Sequence, residues 1–261
     1  MVILSERIIT ITSDFGTKDY YSAAISGRLL SGISGASIVT VSNQITQYSI
    51  HEAAFNLRNA WAYFPEGTIH LALVNRNHNS EMQYAIIRHH NHYFIGPDNG
   101  IFGLLFDEQP ELMLHLDAPE TVSPTFRELD ICTHAAIRIA AGDDILSLGT
   151  QVKALTESTP FRPVTENKVI KGMVVYLDNY HNAITNINRK IFSEMHSGGK
   201  YVVRFGKYYT ERIAESYANV PEGEIIATFG SSGMLEIAMK ESSARNLMGI
   251  RVNDIVRIEF E

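Results

Sequence analysis

The apolar residues of this chain change rhythm near residue 155, and that change constrains the fold more than any other feature. Up to Leu155, short apolar runs alternate with stretches of helical spacing, the pattern of a layered α/β sheet. Residues 7–13 read as a buried strand ending at Asp14-Phe-Gly, 20–30 as a helix and 36–42 as a second strand. Ala53, Ala54, Leu57, Ala60, Trp61 and Phe64 form a helical stripe over 51–64, closed by Pro65-Glu-Gly. Residues 68–74 form a third strand, and strands near 84–88 and 93–95 flank a polar turn. The last of these runs into Gly96-Pro-Asp-Asn-Gly100, strong turn chemistry.

Beyond 155 the pattern loosens and then tightens. Residues 156–168 hold two prolines, several Ser and Thr, and no apolar period. Closely spaced strand signals follow at 172–177, 200–205, 224–229, 234–239 and 255–260. The chain is therefore read as an α/β layered domain over 1–157, a linker over 158–168, and a smaller all-β barrel or sandwich over 169–261.

Composition narrows the function classes. One cysteine, Cys132, excludes an internal disulfide or a Cys-rich zinc site and reads as a buried small hydrophobe. A net charge of −7 with scattered Lys and Arg argues against a nucleic-acid partner. The start is too quickly charged for a signal peptide, and no run reaches the ~18 apolar residues of a membrane span, so a cytoplasmic protein without a membrane partner is expected.

Strand ends and the turns after them are where such a sheet presents ligand groups, and Asp14, Asn75 and Asp98 fall there. A carboxylate at such a place can accept both hydroxyls of a ribose or stabilise a turn; both readings stay open. Asp178-Asn-Tyr-His-Asn182 follows a strand and sets a carboxylate, an aromatic ring and an amide within five positions. That set suits a purine, or equally a tight hairpin. His89-His90-Asn-His92 lies in a polar turn with no carboxylate or cysteine at ligand spacing, so a solvated turn is expected and no metal site. Gly230-Ser-Ser-Gly233 lacks the Lys-Ser/Thr of a phosphate loop.

Several segments together resemble the SAM hydroxide adenosyltransferase (SAM hydrolase) family, which also contains fluorinating and chlorinating enzymes. They are Thr12-Ser-Asp-Phe-Gly-Thr-Lys-Asp-Tyr-Tyr, His51-Glu-Ala-Ala-Phe, Tyr63-Phe-Pro-Glu-Gly-Thr-Ile-His-Leu-Ala-Leu-Val and Gly96-Pro-Asp-Asn-Gly. In the second half come Val175-Tyr-Leu-Asp-Asn-Tyr-His-Asn-Ala-Ile-Thr-Asn-Ile, Tyr217-Ala-Asn-Val-Pro-Glu-Gly-Glu and Ser231-Ser-Gly-Met-Leu-Glu-Ile-Ala. The resemblance implies S-adenosylmethionine (SAM) as substrate, no separate cofactor, and a homotrimer with each site between subunits. It also implies ligand contacts: Asp14 to the ribose, Tyr48 beside ribose and methionine, Asp98 and Asn99 in the Pro-Asp-Asn-Gly turn. In the second domain it implies Asp178 to the methionine amino group, Tyr180 on adenine, Asn182 at the adenine edge, Ser231 at the methionine carboxylate, and the backbone of Met239 to Glu241 at adenine.

The chain departs from the family where water is activated. The family's Asp-Arg-His set is replaced by Asn75, Met82 and Arg127. Asn75 cannot take a proton as a carboxylate can, and Met82 carries neither charge nor a donor. Displacement at the 5′ carbon expels a neutral thioether, so it needs no general acid and depends heavily on placement and desolvation of the nucleophile. An inward Arg127 at ~6 Å from the sulfonium would repel it by roughly 3 kcal/mol at an effective dielectric of ~20. Three functions follow: hydrolysis of SAM to adenosine and methionine, binding of adenosine or SAM without turnover, or transfer to an anionic nucleophile held by Arg127. Inward and outward Arg127 are equally open.

Overall fold

The computed structural model describes residues 7–74 and 82–261. Its contacts divide the chain between Thr159 and Pro160 into two compact units.

In the first unit β1 (Arg7–Ser13), α1 (Tyr21–Gly32), β2 (Ala36–Ser42), α2 (Ile50–Arg58), β3 (Ile69–Leu73), β4 (Tyr84–His89), β5 (His92–Pro97), β6 (Leu112–Leu116), α3 (Arg127–Ala141) and β7 (Gly149–Gln151) follow in order. The sheet runs β2-β1-β3-β5-β4-β6-β7. β2, β1, β3 and β5 are parallel, and β4, β6 and β7 continue the sheet antiparallel. Ile9, Ile11, Leu71, Leu73 and Ile86 pack with Ile25 and Leu29 of α1 and Ile131 and Ala135 of α3 in one apolar cluster. Ala72, Ala85, Ile87 and Phe94 pack with Ala53 and Leu57 of α2 in another. Two apolar faces explain why these strands read as nearly continuous hydrophobic runs. β3 and β5 come so close that a Cβ on Gly96 would lie 2.3 Å from the Ala72 carbonyl oxygen.

The helical stripe expected over 51–64 breaks after Arg58, and Trp61–Tyr63 form a separate 3-10 turn. The histidines are also placed differently from expectation. His89 and His92 are only 6% and 4% exposed, because they end β4 and begin β5 as register partners in the sheet, packed against Trp61. His70 on β3 joins them through a 3.1 Å contact between its Nε2 and His92 Nδ1, and its Nδ1 lies 2.7 Å from Thr10 Oγ1. Burial, with His92 adjacent, lowers the His70 pKa to about 3. Burial likewise lowers His89 and His92.

The second unit holds β8 (Val164–Glu166), β9 (Val169–Leu177), β10 (Ala183–Asn188), α4 (Arg189–Met195), β11 (Tyr201–Phe205), β12 (Tyr208–Thr210), β13 (Ile213–Ala214), β14 (Ile225–Phe229), β15 (Met234–Met239), α5 (Ala244–Met248) and β16 (Ile255–Phe260). One nine-stranded sheet runs β12-β11-β16-β9-β10-β15-β14-β13, with β8 added to β9. Residues 158–168, expected as a linker, therefore contain a strand, and the expected all-β unit carries two short helices. Both helices are capped by side chains, Asn188 Oδ1 accepting from the Ile191 amide and Ser243 Oγ from the Asn246 amide. Gly230-Ser-Ser-Gly233 is the tight turn between β14 and β15, with Gly233 at φ +73°.

β10 slips in register against both neighbours. Side chains make up the lost pairing. Asn186 Oδ1 accepts from the Met173 amide at 2.8 Å, and Thr185 Oγ1 donates to the Leu235 carbonyl at 2.9 Å. A Cβ on Gly172 would lie 2.5 Å from that Asn186 oxygen, so glycine there keeps the staple in place.

Candidate functional site

In the first unit the candidate groups gather at one sheet edge, where β1, β2, β3 and β5 end and β4 begins. β1 has β2 on one side and β3 on the other, so the chain order reverses at β1, the place where open α/β sheets bind ligands. Asp14 stands at that point. Its Oδ2 accepts from the Tyr48 amide at 3.0 Å, while Oδ1 is buried with no hydrogen-bond partner among the described residues. Tyr48 is exposed and holds φ +67°. Asn43 ties the two loops together: it accepts from Ser13 Oγ, donates to Ser22 Oγ, and its carbonyl accepts from the Gly16 amide.

Asp98 and Asn99 both bond within the fold. Asp98 Oδ1 accepts from the Thr156 amide at 2.8 Å and Oδ2 lies 2.9 Å from His115 Nε2. Asn99 donates to the Val74 carbonyl and accepts from the Ile101 amide. These bonds close the Gly96–Gly100 turn onto its neighbours.

The substituted positions have a different character. Met82 is partly buried and packed against the apolar cluster of the sheet. Arg127, first residue of α3, lies over the Tyr84 ring, its guanidinium carbon 5.6 Å from the ring centre. Glu128, only 4% exposed, hydrogen-bonds Tyr84. Burial and the Glu128 charge raise the Tyr84 hydroxyl pKa, and burial does the same to Cys132, which is fully buried as expected. Asn75 lies outside the described residues.

In the second unit, a cavity of ≈ 500 Å³ is lined by Asp178, Tyr180, Asn182, Met239 and Glu241, five of the residues expected from the sequence, with Tyr217, Glu236 and Ser242. Ser231 is exposed in the β14–β15 turn and is not among the lining residues. The Asp178–Asn182 segment is both hairpin and cavity wall. Asp178 Oδ1 accepts from the Asn182 amide at 2.8 Å and Oδ2 from its side-chain nitrogen at 3.0 Å, closing β9 onto β10. His181 adopts φ +64°, and Tyr180, 79% exposed, stands clear of the turn. Carboxylates, two tyrosine rings and Met239 make a wall fit for a flat, polar-edged, positively charged molecule.

Tyr217 and Glu236 were missed as individual site residues. The Tyr217 hydroxyl donates to Glu236 Oε1. Burial and this bond raise the Tyr217 pKa; burial and nearby Asp178 raise that of Glu236. In the sequence Leu-Glu-Ile reads as strand alternation, which looks the same whether the polar face meets solvent or a cavity. Among the described residues no group of three or more His, Cys, Asp or Glu is placed to hold a metal ion, and no helix is long and apolar enough to cross a membrane.

Residues 9–149 match the family model of the SAM hydroxide adenosyltransferase N-terminal domain, and residues 172–257 that of its C-terminal domain. The chain belongs to the SAM hydroxide adenosyltransferase family. A protein of Thermus thermophilus named (R)-S-adenosyl-L-methionine hydrolase is 28% identical, the match covering 97% of this chain and 99% of that protein. One of the same name from Methanocaldococcus jannaschii is 27% identical over 97% of this chain and 96% of its own length. The crystal structure of an uncharacterized conserved protein from Thermotoga maritima shares the fold, with a TM-score of 0.88 and 22% identity over 97% of this chain and 99% of that one. Each of the two SAM hydroxide adenosyltransferase domains thus falls within one structural unit, and each unit carries its own set of candidate groups.

Proposed function

We propose that this protein binds S-adenosylmethionine and hydrolyses it to adenosine and methionine. Water attacks the 5′ carbon, the carbon–sulfur bond breaks, methionine leaves as a neutral thioether and one proton is released to solvent. The observation that carries the reading is the cavity uniting Asp178, Tyr180 and Asn182, in a chain that matches proteins named for this reaction along its length. Asp178 supplies a counter-charge for the ligand's ammonium group, Tyr180 a stacking face and Asn182 a polar edge. Asp14 supplies the ribose contact, since its buried Oδ1 is an acceptor without a donor among the described residues. Tyr48, held by its amide on Asp14, and Ser231 complete the proposed contacts, and a cytoplasmic homotrimer is part of the same proposal.

A second reading, binding without efficient turnover, is favoured by the surroundings of Met82 and Arg127. Met82 packs as a hydrophobe and Arg127 lies on Tyr84, so neither offers a base to water. Incubation with SAM, followed by chromatography of adenosine and methionine, separates the two. Both products in equal amounts above a buffer blank support hydrolysis. Saturable binding with SAM recovered intact supports the second reading, and neither binding nor turnover rejects both. A product that changes with added chloride, and no longer does so in Arg127→Ala, would instead identify an anionic nucleophile. Light scattering on the eluting protein tests the trimer.

A further inference from the structure

Asp178 accounts for one positive group of the proposed ligand and leaves a second carboxylate in the same cavity without a role. Glu236 lies on β15 between Leu235 and Ile237, both fully buried, so strand alternation turns its side chain to the opposite face. Tyr217 holds Oε1 by a hydrogen bond. Oε2 occupies room that exists because residue 230 is glycine: a Cβ there would lie 2.6 Å from it. The groups around Glu236 leave its charge uncompensated. Its strand partners are Ile184 on β10 and Thr228 on β14, neither ionisable. Asp178 and Glu241 line the same cavity, and no Lys or Arg does among the described residues. Lys240, next in sequence to Glu241, instead donates its Nζ to the Val220 carbonyl at 2.7 Å.

A carboxylate in that position repels Asp178 and has lost part of its hydration. Both effects raise its pKa, while the Tyr217 hydrogen bond lowers it. An arrangement that keeps such a group half-buried beside a like charge becomes favourable once a cation enters.

We infer that Glu236, positioned by Tyr217, is a specificity-determining residue, the counter-charge that makes this cavity prefer an adenosyl ligand with a positive centre at the sulfur position over its neutral counterpart. The inference rests on the proposed reading of the cavity as the adenosyl site. SAM carries two positive groups and one negative; its demethylated thioether, S-adenosylhomocysteine, keeps the amino-acid end and loses the sulfonium charge. Asp178 alone would serve both ligands equally. Glu236 supplies what tells them apart.

The test is calorimetric titration of the full-length protein with three ligands: S-adenosylhomocysteine, adenosine, and sinefungin, a stable analogue with a charged amine at the sulfonium position. The wild type is expected to prefer sinefungin to S-adenosylhomocysteine by roughly tenfold, the scale of one added charge pair in a half-buried site. Glu236→Gln keeps an acceptor for Tyr217 and removes the charge, so the preference shrinks to within about twofold while adenosine affinity holds. Cation affinity of the wild type falls as pH is lowered through the raised pKa of Glu236 and is flat in Glu236→Gln. Tyr217→Phe moves that fall to higher pH, because the bond favouring the ionised carboxylate is gone. Equal weakening of all three ligands by Glu236→Gln, or an unchanged preference, overturns the inference and leaves the adenosyl reading standing. A wild type that binds none of the three rejects the adenosyl reading itself.

Discussion

The two units present their candidate groups in opposite ways. In the α/β unit Asp14 keeps a buried acceptor without a donor among the described residues, Asp98 and Glu128 are already hydrogen-bonded, Met82 packs as a hydrophobe and Arg127 lies on Tyr84. In the sheet-rich unit Asp178, Glu236 and Glu241 line one cavity with two tyrosines. The contrast separates holding a ligand from reacting it. Groups suited to a flat cation line the cavity of the second unit, whereas groups that would activate water are missing from the positions where the family resemblance puts them in the first. A displacement with a neutral leaving group tolerates that imbalance at reduced rate, since orientation and desolvation carry much of the barrier lowering.

Reinstating the family set is the strongest way to break the contrast. The triple variant Asn75→Asp, Met82→Arg, Arg127→His is expected to raise SAM turnover by ~10²–10⁴-fold, the usual worth of a general base, read by adenosine release. No gain would mean that the first unit is not limited by those positions. Next in size, Asp14→Ala should weaken adenosine binding by roughly 100-fold, because it removes a charged acceptor for ribose and the anchor of the Tyr48 amide, as measured by calorimetry.

Acid should move the two units apart. The folded α/β unit keeps His70 neutral down to about pH 3, whereas the unfolded chain takes up that proton from about pH 6.5 downward. Stability of this unit therefore falls as pH drops below 6.5, by about 1.4 kcal/mol per pH unit from His70, and His89 and His92 act in the same direction. Glu236 acts the other way. Its pKa is raised in the fold, so between the ordinary carboxylate value and the raised one the folded state holds a proton the unfolded chain has lost, and stability grows as pH falls through that window. Urea denaturation at several pH values separates the two, because the sole tryptophan, Trp61, reports on the α/β unit. The smallest expected effect is Ser49→Ala, which removes the cap whose Oγ accepts from the Glu52 amide; a loss of about 1 kcal/mol in the same denaturation assay is expected.

Much of this architecture was legible in the residues themselves. β1, β2 and β15 begin and end at the expected positions because each is a β-branched or apolar run bounded by turn formers. Asp178 to Asn182 is readable as a tight hairpin or as a purine-binding set; the hairpin is present, and its residues line a cavity. What could not be read depends on partners distant in sequence. His89 and His92 sit in a stretch that looks solvated, and their burial arises because β3 and α2 deliver His70 and the Trp61 region above them. The bond from the Thr156 amide to Asp98 Oδ1 spans 58 residues of sequence and has no local signal. Residues 164–166 lie among turn formers and become a strand through pairing with β9.

The slipped register of β10 bears on more than the sheet. The segment carrying Asp178, Tyr180 and Asn182 is the connection into that strand, and Glu236 is borne by its neighbour β15, opposite Ile184. Sliding β10 by two residues along β15 would keep the same side chains facing the same way and carry the connection about 7 Å from Glu236. In the observed register Thr185 Oγ1 donates to the Leu235 carbonyl and Asn186 Oδ1 accepts from the Met173 amide. These two side chains thus help hold the register on which the distance between the Asp178–Asn182 connection and Glu236 depends.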